Sequence, residues 1–131
     1  MSIDRRLLLA LGDLACFVAF GALGLSSHED AVTLTTIARA ILVFPAAWFL
    51  IAPWFGAFSA DAVNGHESLR RLALIWLTAG VVALCGRALI FDRALLNAFF
   101  PIALIGNGIL LLAWRAVYST RLARRTSPAT G

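Results

Sequence analysis

The chain reads as four apolar runs, each about 20 residues long, the length a helix needs to cross a hydrocarbon core of about 30 Å. They extend from Leu7 to Leu25, Ile37 to Phe58, Leu72 to Phe91 and Ala98 to Val117. Backbone amides in lipid must be satisfied within their own segment, and four short strands cannot close a barrel, so the pattern predicts an all-α fold. Between the runs lie Ser26 to Thr36, Ser59 to Arg71 and Asp92 to Asn97, which hold the Ser, Asp, Asn, Gly and His residues that membrane helices avoid. Connections this short predict antiparallel neighbours. The expectation is a polytopic membrane protein: a single four-helix transmembrane domain over 1–131, built as two antiparallel hairpins, with a short basic tail over 119–131.

Composition removes the soluble alternative. With 61% hydrophobic and 14% charged residues, a small soluble fold would have to display most of its apolar surface to water. The mean hydropathy of +0.88 agrees, and no long polar stretch offers room for a nucleotide-binding or catalytic domain.

The formal charge of +4 raises the question of a nucleic-acid partner, which the placement of the positive residues answers. All eleven basic residues are arginines, and they sit mostly at the ends of apolar runs rather than along one exposed stripe. That is the distribution of membrane anchors, not of phosphate contacts. If the helices alternate, Arg5, Arg6, Arg70, Arg71, Arg115, Arg121, Arg124 and Arg125 share one side, against Arg39, Arg87 and Arg93 on the other. The bias predicts both termini on the cytoplasmic side. Trp54, Trp76, Trp114 and Tyr118 then fall toward the cytoplasmic interface, where amphipathic rings settle.

A cleaved signal peptide is the rival reading of the first run, but Asp13 interrupts it and no small-x-small site precedes Ser26. Arg5-Arg6-Leu7 is echoed by Arg70-Arg71-Leu72 and Gly21 by Gly86, a spacing that suggests two copies of a hairpin. Cys16 and Cys85 both fall inside apolar runs, where a thiol behaves as a small hydrophobe, and they lack metal-ligand spacing.

Asp13 is the residue least at home in lipid. It lies about 10 Å past the start of its run at 1.5 Å per residue, where a bare carboxylate costs on the order of 3 kcal/mol. It needs a partner, and Arg115 near the inner end of the fourth run is the best placed. On a helical wheel Asp13 shares a face with Phe20, Gly24 and Ser27, with His28 at its edge, and Gly21 and Gly24 there would admit another backbone.

At the opposite boundary, Arg39 opens the second run and Arg87 stands about one turn inside the end of the third, framed by His28, Glu29, Asp30 and Asp92. Two arginines at one level can hold an anionic head group by forked hydrogen bonds, or pair with those carboxylates. His28-Glu29 and His66-Glu67 fall on opposite sides of the bilayer and cannot share a metal ion. Asn107, between Gly106 and Gly108, is expected to make an interhelical hydrogen bond. Pro45 and Pro53 are expected to bend the second helix.

Gly12-Asp13, Phe20-Gly21 followed by Ser27-His28, Pro45 and Trp48, Arg87 closing the third run and Trp114-Arg115 closing the fourth resemble the family catalogued as domain of unknown function 3054. The second run departs from the family pattern, with Pro45-Ala46-Ala47-Trp48 in place of an aromatic after the proline and a glycine before the tryptophan. The resemblance implies a small multi-pass membrane protein, with no established activity and no catalytic residues to carry over.

Three classes of function follow. The first is a structural or accessory bundle whose polar residues fix helix packing. The second is a small oligomeric transporter or ligand-binding protein, with Asp13, His28, Arg39, Arg87, Asn107 and Arg115 as candidate ligand-binding residues. The third, least equipped, is a membrane-embedded lipid- or isoprenoid-modifying enzyme with His28 as base. No cofactor is implied. The expected partners are the lipid bilayer and a second copy or another membrane protein, not nucleic acid.

Overall fold

The computed structural model describes residues 2–27, 33–63, 65–92 and 99–127. It is all-helical, and four helices are long and apolar enough to cross a membrane. They are α1 (Ile3–Ser26), α2 (Leu34–Phe55), α3 (Gly65–Phe91) and α4 (Phe99–Thr126). A single 3-10 turn, Ala60–Val63, leads into α3.

The starts of α1 and α2 and the end of α2 have local causes. At α1, the Ser2 hydroxyl accepts from Arg5 N, and the first turn carries Asp4, which suits the positive end of the helix dipole. Thr33 and Thr36 form a reciprocal capping box at the start of α2. That helix is irregular in its middle, widening to a π turn over Ala38–Leu42 just before Pro45. The proline ring has no N–H and crowds the carbonyl four residues back, so a wider turn there gives that carbonyl room. Beyond Ile51 the helix tightens to a 3-10 turn around Pro53 and stops at Gly56, whose φ of 76° suits glycine. The expected span therefore ends at Phe55, and Ala57 and Phe58 fold back as a turn.

The two later helices outrun their apolar cores. α3 starts at Gly65 and α4 continues to Thr126, so residues 119–126, expected as tail, extend the helix.

Small residues let the helices meet. Gly21 lies against Ala40 O and Ile41, Gly106 against the ring of Phe20, Gly80 against Leu104, and Gly108 against Trp76. A Cβ at any of these would collide with its neighbour. A Cβ at Gly24, expected to serve with Gly21, would meet nothing within 4 Å among the described residues, and neither would one at Gly86. The possible repeat therefore does not reproduce the contact.

At the centre, Phe17 of α1, Phe44 and Trp48 of α2 and Trp76 of α3 pack ring on ring, at centroid distances of 5.6 to 6.3 Å. Trp76 is buried and donates its Nε1 proton to Leu104 O at 2.9 Å. It is a core residue, which corrects the expectation that it sits at an interface. Trp54, by contrast, is 86% exposed. Outside this core the surface is apolar: Leu11, Leu14, Leu77 and Ile105 all face outward.

Candidate functional site

The inward stripe of α1 is Leu9, Asp13, Phe17 and Gly21, residues four apart. This differs from the wheel expectation: Phe20 is half-buried and Ser27 is exposed. On α4 the buried stripe has the same spacing, through Ala103, Asn107, Leu111 and Arg115. Residues four apart lie one above the other on a helix. Each stripe thus brings one ionic group into the packed interior.

Those two groups meet. Arg115 donates from Nε to Asp13 Oδ1 at 2.8 Å and from Nη2 to Asp13 Oδ2 at 2.6 Å, a forked ion pair, with Asp13 0% and Arg115 1% exposed. The planar guanidinium matches the carboxylate edge, and this geometry makes the pair strong. Two further contacts complete it. Trp48 Nε1 donates to Asp13 Oδ2 at 3.0 Å, and Arg115 Nη1 donates to Ala57 O at 2.8 Å. The ring of Phe58 lies under the guanidinium, 5.0 Å from Cζ to the ring centroid.

The turn that presents Ala57 and Phe58 exists because Gly56 can take a positive φ. Arg71 of α3 secures the same turn by donating from Nη2 to Phe55 O at 2.7 Å. Trp114 lies across Gly12, where any side chain would overlap its indole. Its Nε1 is buried and has no hydrogen-bond partner among the described residues. Asp13 thus ties α1 to α2 and α4, and Arg115 ties α4 to the turn after α2.

Trp48→Phe is expected to lower stability by about 1 kcal/mol, because Asp13 loses one of three donated bonds but keeps Arg115. Denaturant titration of the purified protein in bicelles reads the change.

Among the described residues, the other candidates do not join this cluster. Asn107 is buried, but its Nδ2 donates to Ala103 O of its own helix at 3.0 Å, and Oδ1 has no partner among the described residues. The expected interhelical bond is made instead by Trp76, whose indole passes over Gly108. Asn107 is eight residues from Arg115, about 12 Å along α4. Arg39 lies half-buried in the π turn of α2, and Arg87 half-buried near the end of α3. Asp92 follows α3, exposed, with a φ of 49°. His28, Glu29, Asp30 and Arg93 lie outside the described residues.

Sequence reasoning paired Asp13 with Arg115 but missed Trp48 as a donor to the carboxylate and Ala57 as an acceptor from the guanidinium. The signal for Trp48 was present: a tryptophan inside an apolar run needs an acceptor for its N–H. None existed for Ala57, since a carbonyl freed by a turn leaves no mark in residue identity.

A family model described as a protein of unknown function (DUF3054) matches residues 10–118. That range takes in Asp13, Trp48, Ala57 and Arg115. No curated protein and no solved structure matches the chain.

Proposed function

The chain belongs to the DUF3054 family of proteins of unknown function, and from that premise we propose that it is a small multi-pass membrane component with a structural or accessory role. In this reading it forms two antiparallel hairpins in the bilayer with both termini cytoplasmic, and its buried polar residues hold the bundle together. The observation that carries the reading is the closure of the Asp13–Arg115 pair. Both carboxylate oxygens accept, three guanidinium atoms donate, and neither residue is exposed. A carboxylate serving a solute would need an open approach, whereas one that locks helices needs what is found here.

Orientation is supported by the arginine bias and tested by labelling. Single cysteines placed at Ser2, Ser127 and Asp92, with Cys16 and Cys85 replaced by alanine, are expected to divide. A membrane-impermeant maleimide added to intact cells should label position 92 and neither end. Labelling of one end only would contradict an even number of crossings. The accessory role is tested with D13L/R115M, an apolar replacement of the pair. In cells where loss of the chain has a measurable consequence, the variant at wild-type abundance is expected to replace the native protein. Failure at full abundance would mean that the ionic groups act on a solute.

A further inference from the structure

α3 and α4, with 27 and 28 residues, are each about 40 Å long at 1.5 Å per residue, roughly 10 Å more than a hydrocarbon core requires. Their polar excess falls at the first two turns of α3 and the last two of α4. Where these meet the start of α1 there is a groove of about 630 Å³. Val63, Leu69 and Leu122 give it apolar walls, and Arg5, His66 and Ser119 also line it. The hydroxyls of Ser119, Thr120 and Thr126, which also line it, already donate to carbonyls of their own helix, so the donors left for a bound anion are the Arg5 guanidinium and the His66 imidazole.

The surroundings favour an anion strongly. Leaving aside Arg115, which Asp13 neutralises, this end carries Arg5, Arg6, Arg70, Arg71, Arg121, Arg124 and Arg125 against Asp4, Asp61 and Glu67, seven positive less three negative for +4. A basic, partly apolar groove at head-group depth matches a molecule that is charged at one end and hydrocarbon at the other.

We propose that this groove binds the head group of one anionic phospholipid, with the phosphate on Arg5 and His66 and the glycerol region against Val63, Leu69 and Leu122. A free phosphate would use the two donors and leave the apolar walls idle. The inference rests on the membrane reading and on the orientation proposed above, but it fails separately. Misplaced labels at Ser2 and Ser127 defeat the orientation, whereas a correctly oriented chain that retains no anionic lipid defeats only this site.

The test uses the full chain in nanodiscs of equal parts phosphatidylglycerol and phosphatidylcholine, released into the gas phase for native mass spectrometry. The expected result is a retained phosphatidylglycerol and no retained phosphatidylcholine. R5Q/H66Q removes both charge-assisted contacts to the phosphate and should lower retention by at least about tenfold. R6Q removes the same formal charge outside the groove and should leave retention within about twofold. S119L fills the groove while leaving every charge in place, and should match R5Q/H66Q. Equal losses for R5Q/H66Q and R6Q, unchanged retention in S119L, equal retention of the zwitterionic lipid, or displacement by inorganic phosphate would each overturn the proposal.

Discussion

Asp13→Ala is expected to destabilise the bundle by about 3–5 kcal/mol, enough to deplete the folded protein from membranes. The loss comes mainly from what is left behind. Without the carboxylate, Arg115 keeps Ala57 O and the face of Phe58 but remains a cation without a counter-charge at 1% exposure, and Trp48 loses its acceptor. Arg115→Ala should be comparably damaging, for it strands a carboxylate that only an indole then serves. Replacing both together is different. D13L/R115M removes both charges and fills the space with hydrocarbon, so most of the stability should return. A residual deficit of about 1–2 kcal/mol is expected from the unpaired Trp48 N–H and Ala57 carbonyl. Unfolding in bicelles by added denaturing detergent measures all three; a loss below about 1 kcal/mol for D13A would show that the pair holds nothing together.

Gly21→Val should lower stability by about 2–3 kcal/mol, while Gly24→Val, one turn further on, should change it by less than about 0.5 kcal/mol. The two glycines were indistinguishable by sequence. In the fold, a Cβ at position 21 would stand 2.9 Å from Ala40 O and 3.2 Å from the Ile41 Cα, and backbone atoms cannot swing aside as a side chain does. At position 24 it meets nothing within 4 Å among the described residues. α1 would therefore have to move away from the π turn of α2 in the first variant only, pulling Asp13 from Trp48 as it went. The same unfolding titration separates them, and equal effects would deny the close approach of α1 to α2.

What the residues made legible was the part set by solvent. Four runs of about 20 apolar residues allow few alternatives to four helices, and an aspartate inside one of them demands an arginine from another. What stayed hidden was set by packing geometry. The face of α1 turned inward depends on how α1 crosses α2 and α4, so the wheel found Gly21 but placed Gly24 and Ser27 on that face and left out Phe17. Trp76 looked interfacial because aromatic residues near run ends usually are, yet Gly108 opens a slot that draws its indole onto the carbonyl of Leu104. The ends of α3 and α4 were set too short because polar residues were taken to end the helix. His66, Arg121 and Arg124 are tolerated in helices once these leave the apolar layer, and this excess length forms the groove beside Arg5.

The closed Asp13–Arg115 pair is the centre of the bundle's polar interior, and its exclusion of water can be measured directly. In nanodiscs transferred to deuterated buffer, the Nε proton of Arg115 is read by nitrogen-detected NMR alongside those of Arg124 and Arg125. The Arg115 proton is expected to persist long after the other two have exchanged. Loss of the Arg115 signal as fast as that of Arg124 would mean that water reaches the pair, and Asp13 would then belong to an open path rather than a lock.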